Sequence, residues 1–251
     1  MSFTLITGAS SGIGEVFAKE YAKKGHDLIL VARSELTLNK IAKDLEKNHK
    51  IKVHVIVQDL SLRNSAEELF IQVKKLKAEV SLLINNAGFG LIGEFENQDL
   101  ARVQDMLELN IVTLTKLTQL FIPQLKMNKG TILNVASRAG FQPIPYMAVY
   151  AASKAYVLHF SEALRAELET SGVKVIALCP GTTATNFFKI ANSEPKSTPM
   201  SAEQVVEEAI AGIENNKAVI VPGTFNRLLH FLTRFISRAA VINTAKNRMK
   251  P

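Results

Sequence analysis

The stretch Thr7-Gly8-Ala9-Ser10-Ser11-Gly12-Ile13-Gly14 lies between a short apolar run and an amphipathic segment that covers residues 12–24. Its three glycines permit a tight turn, a close approach of the backbone to phosphate oxygens and close packing of a helix on a sheet. A helix that begins here points free N–H groups and the positive end of its dipole at such a phosphate. This position between a first strand and a first helix predicts that the turn binds the pyrophosphate of a dinucleotide.

The rest of the chain repeats the alternation of strand and helix. Apolar runs typical of buried strands cover residues 3–7, 28–32, 53–57, 82–85, 130–135, 173–178 and 218–221. Amphipathic segments typical of helices cover residues 12–24, 35–49, 63–77, 98–126, 147–171 and 201–215. Strands separated by helices form parallel sheets with right-handed crossovers. We therefore expect an α/β fold in a single domain, a doubly wound, Rossmann-like sheet of seven parallel strands.

The composition favours a folded protein in a reducing compartment. The chain has 251 residues, 47% hydrophobic and 21% charged, which is close to average globular usage. Its single cysteine, Cys179, excludes an internal disulfide, and we expect it to be a small buried residue at a strand end. The N-terminal residues lack a signal-peptide pattern, and no run of about 20 apolar residues is present. We expect a cytoplasmic protein.

The end of the second predicted strand bears on the choice of dinucleotide. A carboxylate there would bind the ribose 2′-hydroxyl of NAD, but the sequence has Ala32, Arg33 and Ser34. Arg33 can pair with a 2′-phosphate, so NADP(H) is expected and NAD(H) less so. Arg33 could also be an ordinary surface residue. Asp59, followed by Leu60, could bind the adenine amino group or could be a helix-capping or turn residue.

Tyr150 and Lys154 stand four residues apart in a helical segment, so they share one face. A tyrosine titrates near pH 10, and acid–base work near pH 7 needs a pKa lowered by about 3 units, or ~4 kcal/mol. A nearby ammonium can supply this. The spacing alone is common by chance. Ser137 strengthens the hypothesis, because it follows the fifth predicted strand and its hydroxyl could hold a substrate oxygen beside the tyrosine.

Taken together, these motifs resemble the short-chain dehydrogenase/reductase family, in its single-domain, broadly acting reductase branch. The resemblance covers about residues 3–221. Besides the glycine turn, Ser137 and Tyr150-x-x-x-Lys154, the matching positions are Asn85-Asn86-Ala87-Gly88, Asn110, Pro180-Gly181 and Thr185. One departure is Ser11, where some NADP-binding members carry a basic residue.

The resemblance implies a role for each matching residue. Tyr150 would be the acid/base, Lys154 would lower its pKa and hold the nicotinamide ribose, and Ser137 would orient the carbonyl. Asn110 would fix a water that links Lys154 to solvent. The expected neighbours of the cofactor beyond the glycine turn are Arg33, Ser34, Asp59, Leu60, Asn86, Ala87, Gly88, Tyr150, Lys154, Pro180, Gly181, Thr183 and Thr185.

The expected function is therefore hydride transfer between NADP(H) and a carbonyl compound or secondary alcohol, without a metal. The alternative is a non-catalytic nucleotide sensor or scaffold on the same fold. We expect a small-molecule substrate and no nucleic acid. The resemblance also suggests a homodimer or homotetramer formed through the helices near 98–126 and 147–171.

An apolar substrate is suggested by a group of candidate pocket residues, although several could instead pack the core or a dimer contact. These candidates are Phe89, Phe141, Pro143, Tyr146, Met147, Phe187 and Phe188. The polar segment at 182–200 is expected to be a mobile loop over the site or an ordinary connection.

The C-terminal part of the chain carries the net charge of +7. Residues 1–223 would form the dinucleotide-binding catalytic domain, and residues 224–251 a basic amphipathic extension, within that domain or peripheral. The cations after the last acidic residue, Glu214, are Lys217, Arg227, Arg234, Arg238, Lys246, Arg248 and Lys250. Over 224–242, Arg227, His230, Arg234 and Arg238 are spaced as one helical stripe. A helix docked on the body or on another subunit is the simpler expectation, and weak contact with an anionic membrane or an acidic partner is the alternative.

Overall fold

The computed structural model describes residues 2–191, 193–195, 197–233 and 235–250. The strands are β1 (Ser2–Thr7), β2 (Asp27–Ala32), β3 (Val53–Val57), β4 (Glu79–Asn85), β5 (Thr131–Val135), β6 (Lys174–Leu178) and β7 (Val219–Ile220). The α-helices of the described residues are α1 (Gly12–Lys23), α2 (Glu35–His49), α3 (Ser65–Lys75), α4 (Leu100–Leu107), α5 (Leu114–Met127), α6 (Ala148–Leu168), α7 (Phe187–Ile190), α8 (Ala202–Glu214), α9 (Thr224–Leu232) and α10 (Arg238–Met249).

The seven strands form one sheet in the order β3-β2-β1-β4-β5-β6-β7, and all six neighbouring pairs are parallel. This confirms the predicted doubly wound α/β class. The chain leaves β1 toward β2 and β3, then returns to build β4 on the other side of β1. The order therefore reverses between β1 and β4, and such a reversal opens a crevice beyond the carboxyl ends of the strands.

Helices cover both faces of the sheet, which explains why its strands are uninterrupted apolar runs. On one face α1, α2 and α8 contribute Phe17, Leu45 and Val205 to the core. On the other face α3 and α5 contribute Leu69 and Phe121, and both side chains are fully buried. The sheet beneath the crevice is thereby packed on both faces.

Two segments differ from the helices expected from the sequence. The helix expected over 98–126 is divided by a π-helical turn, Glu108–Thr113, between α4 and α5. The segment 224–242 is two helices, because α9 ends at Leu232 and α10 begins at Arg238. The prediction that these basic residues form a single helical stripe is therefore wrong. Arg234 lies outside the described residues.

Across the described residues, no helix combines the length and the hydropathy that a membrane span requires.

Candidate active site

The glycine turn after β1 has the backbone conformation that its sequence predicts. Gly8 and Gly12 have φ angles of +67° and +57°, a region that side-chain-bearing residues rarely adopt. A Cβ atom on Gly14 would overlap the carbonyl oxygen of Gly8. A Cβ on Gly12 would lie 2.8 Å from Cγ2 of Thr185. The turn is therefore closed on one side by its own backbone and on the other by the segment after β6.

Residues after β4 support this turn. The amide of Asn86 donates to the carbonyl oxygens of Thr7 and Gly8 at 2.9 and 3.2 Å. The hydroxyl of Thr7 accepts hydrogen bonds from the backbone N–H groups of Asn86 and Ala87 at 2.9 and 3.0 Å. These hydrogen bonds join the carboxyl ends of the neighbouring strands β1 and β4. The Asn-Asn-Ala-Gly motif therefore holds the glycine turn in place.

The N-terminus of α1 fits the phosphate of a dinucleotide. Ser11 is its N-cap residue, and within the described part of the chain no side chain caps the helix there. The first N–H groups of a helix have no partner inside the helix and favour a negatively charged ligand. Ser10, Ser11, Gly12 and Ile13 line the adjoining cavity.

The polar residues at the ends of β2 and β3 lie together beyond this turn. Arg33 is 72% exposed in its side chain, and its guanidinium is 3.7 Å from the carboxylate of Asp59. Asp59 accepts hydrogen bonds from the backbone and hydroxyl of Ser61 at 2.9 and 2.7 Å, so it is also a turn residue. Burial works to raise the pKa of Asp59, but the hydrogen bonds from Ser61 and the charge of Arg33 lower it on balance.

One cavity of about 790 Å³ joins the glycine turn to the residues that follow β5. Ser137, Tyr150 and Lys154 line it, as do all the predicted neighbours of the cofactor except Gly14. Those neighbours are Gly8, Ser10, Ser11, Gly12, Ile13, Arg33, Ser34, Asp59, Leu60, Asn86, Ala87, Gly88, Pro180, Gly181, Thr183 and Thr185. Gly14 and Asn110 lie behind this lining. Gly14 packs closely against the carbonyl of Gly8, and Asn110 makes the hydrogen bonds described below.

Helix α6 presents the predicted acid–base pair. Tyr150 and Lys154 are 8% and 4% exposed, and the ammonium lies 5.9 Å from the centroid of the phenol ring. Lys154 donates to the carbonyl oxygen of Val135, at the end of β5, at 2.8 Å. Ser137 begins the helical turn Arg138–Phe141, and its hydroxyl accepts from the backbone of Ala139 at 3.1 Å.

The electrostatics of this pair differ from the sequence-based expectation. Burial raises the pKa of Tyr150 to about 12, and a hydrogen bond with Ser137 only partly offsets this. Burial also lowers the pKa of the Lys154 ammonium to about 8. Lys154 was expected to lower the pKa of the tyrosine, but loss of hydration dominates both groups among the protein's own interactions. At pH 7 the phenol is therefore protonated.

Asn110 lies in the π-helical turn and is fully buried. Its amide donates to the carbonyl of Phe89 at 2.9 Å and to the hydroxyl of Ser153 at 3.1 Å, and it accepts from the backbone N–H of Phe89 at 3.2 Å. A Cβ on Gly88 would lie 2.9 Å from its oxygen and 3.3 Å from the Lys154 nitrogen. The side chain thus anchors the loop beneath Lys154, and the water that the resemblance implies stays a prediction.

The candidate pocket residues divide into two groups. Phe89, Met147, Phe187 and Phe188 line the cavity, and the ring of Phe187 lies 5.2 Å from that of Tyr150. The other three candidates, Phe141, Pro143 and Tyr146, are not among the described residues that form its lining. Phe141 packs instead against His230 of α9, with ring centroids 3.8 Å apart.

Several lining residues were missed by sequence reasoning. Arg138 directly follows Ser137, is half-buried and faces the cavity, so its position beside a candidate catalytic serine was the available signal. Arg102 and Asp105 come from α4. The C-terminal segment contributes Leu229, Leu232, Ile236, Val241, Arg248 and Met249, which no local pattern indicates. Cys179 is buried, as expected, and burial raises the pKa of its thiol to about 12.

Comparison with known proteins agrees with this geometry. A family model described as short chain dehydrogenase matches residues 2–196. The very-long-chain 3-oxoacyl-CoA reductase of Anas platyrhynchos is 34% identical, over 89% of this chain and 73% of its own length. A short-chain dehydrogenase from Sphingobium yanoikuyae in complex with NADPH is 31% identical, with a TM-score of 0.85 over 95% of this chain and 98% of that one. The bulky-bulky ketone specific alcohol dehydrogenase from Comamonas testosteroni is 30% identical, with a TM-score of 0.80 over 95% and 96% of the two chains.

The chain therefore belongs to the short-chain dehydrogenase family. It is an oxidoreductase of this family that acts on CH–OH and C=O groups.

Proposed function

We propose that the protein reduces a carbonyl compound, or oxidises the matching secondary alcohol, with NADP(H) and with Tyr150 as the acid/base. One observation carries the proposal. Ser137, Tyr150 and Lys154 line the same cavity as the glycine turn at the N-terminus of α1. A dinucleotide held at that turn can therefore extend its reactive end toward the phenol.

The residues present fit reduction in the following way. NADPH, when bound along this cavity, would supply the hydride that reduces the carbonyl carbon. Ser137 donates a hydrogen bond to the carbonyl oxygen, which becomes more negative as the reaction proceeds. Tyr150 then gives its phenolic proton to that oxygen, and an alcohol forms. Tyr150 is protonated at neutral pH, so it holds the proton that this step transfers. Its raised pKa works against that transfer, which therefore depends on stabilisation of the phenolate.

Lys154 assists the proton transfer in two ways. Its buried ammonium stabilises the phenolate that proton transfer leaves behind, because opposite charges attract strongly at low dielectric. Its depressed pKa of about 8 also makes it able to return a proton to Tyr150 at neutral pH. In the oxidative direction, the same ammonium favours the phenolate that accepts the alcohol proton.

The preference for NADP(H) over NAD(H) is supported by Arg33. Its exposed guanidinium stands beside the cavity, at the end of β2, and no carboxylate occupies residues 32–34. A guanidinium pairs well with a phosphate. The similar dehydrogenase from Sphingobium yanoikuyae, in complex with NADPH, gives further support.

The substrate is proposed to be a carbonyl compound with a large apolar part. Phe89, Met147, Phe187 and Phe188 form an apolar wall around the phenol. The names of two similar proteins, a very-long-chain 3-oxoacyl-CoA reductase and a bulky-bulky ketone specific alcohol dehydrogenase, point to extended or bulky carbonyl substrates.

A cytoplasmic homodimer or homotetramer is also proposed. The buried free thiol of Cys179 suits a reducing compartment. Exposed apolar side chains on the expected subunit faces, such as Leu100 at 75% and Tyr156 at 39%, support association through α4 and α6.

The experiment is a measurement of NADPH and NADH oxidation with a panel of carbonyl compounds. The panel holds small aldehydes, ketones with two bulky substituents, diketones and 3-oxoacyl thioesters. We expect NADPH-dependent turnover with a higher kcat/KM for the larger apolar ketones or thioesters. Turnover with NADH alone, or a preference for small polar aldehydes, would contradict the proposed specificity.

A further inference from the structure

Helix α9 is oriented on the body with its apolar face toward solvent. Asn226, Leu229, His230 and the following Thr233 are partly buried, and they recur at the spacing of one helical face. Phe225, Leu228 and Phe231 are exposed on the other side. A surface helix normally buries its apolar stripe and exposes its polar one. Here Asn226 and His230 face the body together with Leu229, so most of the apolar side chains of the helix stay exposed.

Six exposed apolar side chains lie within residues 225–236, and we call them the C-terminal apolar surface. Its members and their exposed fractions are Phe225 67%, Leu228 53%, Phe231 53%, Leu232 43%, Phe235 73% and Ile236 50%. Phe231 and Phe235 touch, with ring centroids 5.2 Å apart. Isolated exposed apolar residues are ordinary, but six within a stretch of twelve residues, two of them in ring contact, indicate an interaction site.

The same part of the chain is rich in basic residues. Arg227 is paired with Glu208 at 2.7 Å, whereas Arg238, Lys246 and Lys250 are exposed on α10 and its end. No acidic residue follows Glu214 in the sequence. Residues 215–251 therefore combine aromatic side chains with basic residues and no acidic ones, which is the composition of segments that lie in an anionic lipid interface.

The same segment forms a wall of the active-site cavity. Leu229, Leu232 and Ile236 line the cavity from one side. Phe225, Phe231 and Phe235 are exposed and lie outside its lining. If Phe225, Phe231 and Phe235 attach to a partner, the cavity wall formed by Leu229, Leu232 and Ile236 would therefore lie next to that partner.

We propose that the C-terminal apolar surface docks on an anionic lipid bilayer, with the phenylalanines inserted at the level of the headgroups. Charge distinguishes this partner from a second copy of the chain. In a two-fold interface the same patch of each subunit faces the other, so two segments that both carry an excess of basic residues would be brought together. An anionic bilayer attracts these cations instead, by about 1 kcal/mol for each Lys or Arg near its surface.

The test is flotation of the full chain with phosphatidylcholine vesicles, with and without phosphatidylglycerol. We expect binding only to the anionic vesicles and its loss at high salt. The double variant Phe231→Ser/Phe235→Ser should bind at least about tenfold more weakly, because two large apolar side chains no longer insert. Its matched control, Ile71→Ser/Met127→Ser, alters side chains that are 51% and 79% exposed elsewhere on the molecule and should bind as wild type does.

A second pair of variants tests the charge. Arg238→Glu/Lys246→Glu should reduce vesicle binding about tenfold or more. Lys43→Glu/Lys47→Glu makes the same change in net charge on α2 and should leave binding nearly unchanged. Equal losses in both charge variants would show that net charge alone acts, and would overturn the proposal.

Two other results would overturn it. One is wild-type protein that stays unbound with anionic vesicles. The other is a wild-type oligomer that Phe231→Ser/Phe235→Ser converts to monomer in sedimentation velocity without any change in vesicle binding, which would make the surface a subunit interface. Neither measurement depends on catalysis, so these outcomes are separate from the proposed reaction.

Discussion

Replacing Lys154 with methionine should make the protein more stable while removing most of its activity. Burial lowers the pKa of Lys154 from the usual 10.5 to about 8. Each pKa unit corresponds to about 1.4 kcal/mol, so the ammonium destabilises the folded state by about 3 kcal/mol at pH 7. Methionine is similar in length and needs no hydration.

The gain is reduced by the hydrogen bond that Lys154 gives to Val135 at 2.8 Å. Leaving a buried carbonyl oxygen without its donor costs about 1–2 kcal/mol. We therefore expect Lys154→Met to raise the free energy of unfolding by about 1–2 kcal/mol at pH 7. The rate of carbonyl reduction should fall about a hundredfold or more, because the phenolate loses its neighbouring charge.

The dependence on pH provides the sharper assay. Between pH 8 and 10.5 the folded lysine is neutral while the unfolded lysine is still protonated, so wild-type stability rises with pH over this window. The methionine variant lacks this contribution, and its advantage should disappear by about pH 10. Urea unfolding of both proteins from pH 7 to 10 measures the difference. A variant less stable than wild type at pH 7, with a difference that does not change with pH, would refute the reasoning.

Three further substitutions test other parts of the site. Arg33→Asp should raise the KM for NADPH about tenfold or more relative to that for NADH, because a phosphate contact becomes a repulsion; an unchanged ratio would contradict the assignment. Gly12→Ala should weaken NADPH binding in fluorescence titrations, whereas Gly25→Ala, also at positive φ but with open space around it, should leave binding unchanged. Asn110→Leu should lower the free energy of unfolding by about 3 kcal/mol, because it strands the backbone groups of Phe89; a loss below about 1 kcal/mol would show that these hydrogen bonds contribute little.

The order of elements and the part of the cavity lining at the ends of the strands were predictable because they depend on local patterns. The glycine turn specifies its own backbone, and apolar runs between helices specify a parallel sheet. Residues at the carboxyl ends of β1, β4 and β5 then meet, because parallel strands place those ends at one edge. Gly8, Asn86 and Ser137 line one cavity for this reason.

Features that depend on packing were not predictable. The π-helical turn at Asn110 retains helical periodicity in the sequence, so the segment reads as one helix. The pKa of Tyr150 follows its burial, which spacing from Lys154 does not reveal. Phe141 was assigned to the pocket by its residue type, but the position of α9 gives it His230 as a partner. The break before α10 likewise separates basic residues that the sequence places on one stripe.

Reduction by the variant Tyr150→Phe tests the proposed chemistry most directly. The substitution removes only the phenolic hydroxyl and keeps the ring that packs 5.2 Å from Phe187. We predict that NADPH binds with unchanged affinity and that its oxidation by the best carbonyl substrate slows about a hundredfold or more. A variant that binds NADPH and oxidises it as fast as wild type would contradict the assignment of Tyr150 as the proton donor.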